Sequence, residues 1–314
     1  MVQFGKWMKR AMLLGAALAG LAQPAAAASE PAAPVRPGAA APTRPPRPAI
    51  WVIEDEDTKI YLFGTVHIFA ASLDWRSTAL NRVIQEADEL VMETSDVATA
   101  EMGGENELAM MQLGKSVPIL ERVSPAARPR LEEVLRATGL PMEVFDQLQI
   151  WAVAFVLTQF QIMQALREEE GGTELTGAEE VLGQLFRRSK RPISGVETSE
   201  EQLGIFARMP LDGQRRFLEA TIMGGDPADP APGSTDANWA AGDVAAIAAE
   251  METLPADLYD ALLTRRNRNW TGWLAQRMER PGTVLFAVGA GHLAGRDSVQ
   301  SMLAARGIQA RRID

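Results

Sequence analysis

The sequence predicts an α/β protein: a small, mixed and partly parallel β-sheet with flanking helices, a large helical insertion, and a site at the strand C-terminal ends. Three observations predict it. Short apolar, β-branched and aromatic runs alternate with helical periodicity in the order strand, helix, strand, which is the pattern of a βαβ unit. Four such runs end on an ionisable residue, His67, Glu93, Glu197 and His292. Between the second and third of them lies a long block whose apolar spacing is helical throughout.

Taken in order, residues 1–28 have the form of a secretory signal. Lys6, Lys9 and Arg10 make a basic start, Ala11 to Ala22 an apolar core, and Ala25 to Ala28 offer small-residue cleavage sites. An apolar core of about a dozen residues is short for a bilayer span, so no stable membrane insertion is expected after cleavage. The expected location is exported, periplasmic or extracellular. The chain has no cysteine, which excludes disulfides and a cysteine-borne lipid anchor. Residues 29–48 are rich in Ala and Pro without apolar periodicity and read as a semi-extended linker. A single folded domain is expected over 49–314.

The formal net charge is −10 over 314 residues. Removing the leader takes three basic residues and no acidic ones, which leaves −13. A chain this acidic should not bind nucleic acid or anionic lipid non-specifically.

Ile50 to Ile53 and Lys59 to Phe63 read as a hairpin around the acidic turn 54–57. Asp74 to Ala87 reads as a helix on Leu80, Val83 and Ile84, and Glu89 to Glu93 as a buried strand. From Ala98 to Ala165 the spacing is helical, within an insertion of about 98–190. Ser124 and Pro125 are expected to open one helix and Pro141 the next. Ile150 to Leu166 is apolar but broken by Gln159, Gln161 and Gln164, so it reads as a buried helix. Gly171-Gly172 closes this block. Ala178 to Lys190 is a further helix with a basic end. Pro192 to Val196 is a strand ending on Glu197, with Thr198 or Ser199 capping the next helix. Gly224 to Asp236 is a Gly/Pro/Asp loop. Helices are expected over 237–251 and 256–279, then a strand from Thr283, a helix over 298–306 and a terminal strand over 308–313.

The two histidines of the chain both close a Gly-x-x-His run, Gly64 to His67 and Gly289 to His292. Glycine at a strand end permits a sharp turn or a close approach of another group, and Gly64 and Gly289 are read in that role. Ligands in open α/β sheets bind beyond the carboxyl ends of strands, so two imidazoles and two carboxylates are expected to meet there. Such a group could form a divalent-metal shell with an open position for water, or a metal-free pair in which a glutamate orients a histidine base. HExxH, a phosphate loop and a dinucleotide fingerprint are absent. Trp239, Trp270 and Trp273 are read as core.

Leu62 to His67, Val91 to Glu93, Gly195 to Thr198 with Glu201-Gln202, Arg266-Asn267 with Trp270, and Val288 to Leu293 together resemble the TraB/GumN family, which includes the Tiki metalloproteases. The family is similar to the erythromycin-esterase and ChaN-like proteins. The resemblance implies a divalent metal ion (Zn, Mn or Co) held by His67, Glu93 and His292. It implies Glu197 in the site as well, with Arg266 and Asn267 as substrate-binding or stabilising groups. The implied activity is a metal-dependent, peptidase-like hydrolase acting on a peptide or another amide or ester. The alternatives are a metal-free His/Glu esterase-like hydrolase, a non-catalytic periplasmic binder of metal, haem or a signalling ligand, and an accessory factor with an idle site.

Overall fold

The computed structural model describes residues 46–67, 69–94, 105–168, 175–223 and 235–314. The leader, most of the linker, Gly171-Gly172 and most of the 224–236 loop lie outside the described residues.

Eight strands are described: β1 (Ile50–Glu54), β2 (Thr58–Thr65), β3 (Phe69–Ala70), β4 (Glu89–Thr94), β5 (Leu175–Thr176), β6 (Ile193–Glu197), β7 (Gly282–Gly289) and β8 (Arg311–Arg312). Six form one sheet in the order β6-β4-β7-β2-β1-β8, and β3 pairs with β5 apart from it. The pairs β2–β7, β4–β7 and β4–β6 are parallel, while β1 runs antiparallel to β2 and to β8. The expected mixed, partly parallel sheet is therefore present.

Both faces of the sheet are covered, which explains why its central strands read as near-continuous apolar runs. Alternate residues separate cleanly. Val52, Tyr61, Phe63, Leu90, Met92, Leu285 and Ala287 pack into the core shared with the helical insertion. Ile53, Ile60, Leu62, Val91, Val284, Phe286 and Val288 face the opposite layer, with Trp270, Leu274, Val299 and Leu303 from two C-terminal helices. The three parallel pairings bring the carboxyl ends of β2, β7, β4 and β6 to one edge.

Several boundaries differ from expectation. The helix expected over 74–87 is Thr78–Glu86, capped by the Ser77 hydroxyl at Leu80 N. Ser124 and Pro125 form a turn, and the helix begins at Arg128 with Ala127 in the cap position and a proline in its first turn. Pro141 does open Met142–Asp146. The Ile150 helix runs to Glu168, with Trp151 to Leu157 buried. Among the described residues, no helix is long and apolar enough to cross a membrane. The expected 237–251 helix is two, Thr235–Ala241 and Val244–Met251. They break at Gly242, whose φ of +67° belongs to the left-handed region. The expected 256–279 helix contains a π turn, Asp260–Thr264, before its main part, Arg265–Arg277. The terminal strand shrinks to Arg311–Arg312.

Candidate active site

Arg266 organises the edge where the strands end. It stands at the start of helix Arg265–Arg277, just after the π turn, and is buried. A π turn adds a residue to the helical turn and so rotates the next part of the helix, a feature common at functional sites. Its Nε reaches Glu197 Oε1 at 2.9 Å and Oε2 at 3.1 Å. Nη2 donates to Glu197 Oε2 at 2.8 Å and to Glu93 Oε2 at 2.5 Å. Nη1 donates to Leu262 O at 3.3 Å and faces His292 Nε2 at 3.1 Å. A guanidinium has five N–H groups, and all of them are engaged inside the protein.

The carboxylates are equally committed. Glu93, at the end of β4, accepts from Gly289 N at 2.8 Å and from Gln202 Nε2 at 3.1 Å besides Arg266. Burial raises its pKa, but Arg266, then the histidines and the Gly289 N–H, outweigh that and hold it at about 2. Glu197, at the end of β6, also accepts from Trp270 Nε1 at 3.0 Å. Trp270, expected as plain core, is thus a working donor, and Arg266 lies 4.7 Å from its ring centroid. Positions 266 and 270 are one helical turn apart, which places both on the face that meets the strand ends.

His292 lies in a short 3-10 turn, Ala290–Leu293, and is wholly buried. Its tautomer is set by its neighbours. Asn267 Nδ2 donates to Asp297 O at 2.8 Å and to His292 O at 3.3 Å, so Asn267 Oδ1 must be the acceptor facing His292 Nδ1 at 2.6 Å. The proton therefore sits on Nδ1, and Nε2 receives Arg266. Burial, followed by the Arg266 charge, pushes the His292 pKa down to about 3 and keeps the ring neutral. Asn267 has no amide group left over.

His67 lies at the end of β2 and keeps 18 % of its side chain exposed. Its Nδ1 is 3.1 Å from Glu179 Oε1, and the Thr65 hydroxyl donates to the same oxygen at 2.5 Å. Burial raises the Glu179 pKa, yet the His67 charge and the His67 and Thr65 hydrogen bonds more than offset it, so the carboxyl stays below its usual range. Glu179 is in the first turn of helix Ala178–Arg188, which the backbone staples to β2: Ala178 N donates to Val66 O at 3.0 Å. A Cβ on Gly177 would come within 2.4 Å of His67 O, so only glycine permits this approach. His67 is near enough for its charge to act on both Glu93 and His292.

Of the residues predicted from sequence, Glu93, Glu197, Arg266, Asn267 and His292 form one hydrogen-bonded cluster, with His67 beside it. Gly64 serves a close approach, since a Cβ there would stand 3.0 Å from Ala290 Cα. Gly289 carries the chain from β7 into the 3-10 turn with a φ of −48°, and Glu93 Oε1 approaches its backbone N–H at 2.8 Å. Sequence reasoning missed Glu179, Gln202 as a Glu93 donor, and the polar role of Trp270. The signal for Glu179 was Gly177 directly before a helix start, hidden because an acid in a first turn is ordinary dipole complementation.

The family model described as TraB/PrgY/gumN matches residues 49–312. The chain belongs to that family. No curated protein and no solved structure matches it. In this TraB/PrgY/gumN protein, the residues expected to hold a divalent ion, His67, Glu93 and His292, do not fit one as packed. Glu93 Oε2 already takes two N–H donors and Oε1 one, and the His292 Nε2 lone pair is directed at a guanidinium. A cation placed there would displace Arg266 or stand against its charge. Among the described residues, no three His, Cys, Asp or Glu side chains are grouped to hold a metal ion.

Proposed function

We propose that the chain is an exported hydrolase of amide or ester bonds, peptides included, in which His67 is the general base and Glu179 its orienting carboxylate. The observation that carries this reading is the contact of His67 Nδ1 with Glu179, on a histidine that remains open to solvent. With Nδ1–H held by a carboxylate, Nε2 bears the lone pair that takes a proton from water. The water oxygen adds to the substrate carbonyl carbon. The proton on Nε2 then passes to the leaving nitrogen or oxygen as that bond breaks. Glu179 stabilises the imidazolium in between. The Arg266 cluster fixes the strand ends and keeps an ionised Glu93 beside the base, favouring positive charge on His67 as the proton arrives. Export is supported by the leader-like residues 1–28.

The test uses p-nitrophenyl esters and internally quenched peptides as probes, with purified wild type, His67→Ala and Glu179→Gln. A positioned base contributes about 10²–10⁴-fold, so both variants should lose that much hydrolysis while remaining folded. Treatment with a chelator should leave the wild-type rate unchanged. Wild-type rates in both variants would overturn the assignment, and activity lost to chelator and restored by Zn, Mn or Co would overturn the metal-free arrangement.

A further inference from the structure

Beside the buried cluster is a cavity of about 380 Å³ whose polar lining comes from Glu252, Tyr259, Asp260, Thr264, Arg296 and Asp297. Two of its walls are the segments that hold the cluster in place. Asp260 and Thr264 begin and end the π turn, and Arg266 Nη1 bonds back into that turn at Leu262 O. Asp297 gives its backbone carbonyl to Asn267 Nδ2 at 2.8 Å, and Asn267 Oδ1 holds His292 Nδ1 at 2.6 Å. A displacement of either wall therefore reaches His292 or Arg266 through one or two hydrogen bonds.

The contacts of Arg296 at the mouth of the cavity point to one chemistry. Arg296, with 74 % of its side chain exposed, places its guanidinium 5.7 Å from the Tyr259 ring centroid and its Nε 3.3 Å from Asp297 Oδ2. An aromatic face with a carboxylate beside it is a seat for a planar cation. Asp260 is matched by Arg265 at 2.6 Å, whereas Glu252 makes no ion pair among the described residues. Leu254 and Ala256 add an apolar side. A side chain as exposed as Arg296 loses little on being displaced from this seat.

We propose that this cavity binds a small organic cation, carrying a guanidinium or primary amine, which replaces Arg296 over Tyr259, pairs with Asp297 and Glu252, and is sensed at His292. The site is separate from the hydrolytic reading and stands or falls without it.

Agmatine is the probe, added to the full mature chain. Melting temperature should rise saturably with agmatine, as expected for a ligand that binds the folded state, and succinate should give no rise. Glu252→Gln with Asp297→Asn should weaken agmatine binding about tenfold or more, the scale of a lost charge-assisted contact. Arg296→Ala, an exposed change, should tighten it. Because the chain has only two histidines, the His292 ring ¹⁵N signals are assignable with His67→Ala, and they should move on saturation. No saturable shift up to about 10 mM agmatine in wild type and Arg296→Ala, or equal binding by the carboxylate variants, would overturn the site. Saturable binding with unmoved His292 signals would overturn the link to the cluster.

Discussion

The same Gly-x-x-His spelling delivers both histidines to one edge of the sheet, and the two then meet opposite surroundings. His67 is partly open to solvent, backed by a carboxylate, and carried by a strand whose Thr65 and Phe63 face the helical insertion. His292 is sealed, backed by an amide, and turned toward a guanidinium in the layer behind the other face. A carboxylate partner favours a ring that accepts a proton, whereas an amide and a neighbouring cation favour one that stays neutral. The first arrangement suits chemistry; the second suits holding Arg266 between two glutamates.

The contrast between the two histidines is most severely tested at Arg266. Replacing it by Ala strands Glu93 and Glu197 as buried carboxylates facing each other, and loss of one partner from a buried charge network costs about 3–5 kcal/mol. Urea denaturation of Arg266→Ala should show that loss, and Arg266→Lys should recover only part of it, because one ammonium cannot reproduce the fork.

Acid comes next. His292 falls from an ordinary 6.5 to about 3, so the unfolded chain binds the extra proton between those values. That stability is fully present above pH 6.5 and is lost as pH falls toward 3. Glu93 adds the same sign over a lower window, its contribution present above 4.5 and lost as pH falls toward 2. Each amounts to a few kcal/mol, on the order expected for a buried group whose pKa is displaced that far. Denaturation between pH 7 and 4 should show steep weakening, and His292→Gln should flatten the upper part of the curve. A flat wild-type curve would mean that His292 is not neutral in the fold.

A smaller effect is expected at Gly64. Its Cα faces the turn that carries His292, and a Cβ would press on Ala290 Cα at 3.0 Å. Gly64→Ala should cost about 1–3 kcal/mol, the usual range for overpacking. Smallest in stability is Glu179→Gln, which keeps shape and hydrogen bonding and should change unfolding by less than about 1 kcal/mol while hydrolysis collapses.

Much of this was legible in the sequence because the sheet writes a local signature. β2, β4 and β7 are largely buried runs and β6 a half-buried one, and each ends within a few residues of an acid or histidine. Thr198 with Glu201 spells a capping box that the fold uses, both hydrogen bonds being present. The rest depends on contacts between distant segments. Glu179 meets His67 only because helix Ala178–Arg188 packs its first turn on the end of β2, and nothing within either segment specifies that register. Arg266 and Asn267 were visible as site candidates, but their saturation by internal partners emerges only once five chain segments converge. The π turn left no readable mark either, since Asp260 to Thr264 is an ordinary helical sequence.

One measurement bears most directly on the asymmetry of the two motifs: urea denaturation of His67→Ala and His292→Ala side by side at pH 7. Removing His292 opens a fully buried position and leaves Arg266 and Asn267 short of a partner, so a loss of about 3 kcal/mol or more is expected. Removing the partly exposed His67 leaves Glu179 the Thr65 hydroxyl as a remaining donor and should cost less, about 1–2 kcal/mol. Equal losses, or a larger loss at His67, would contradict the division between a reactive and a structural histidine.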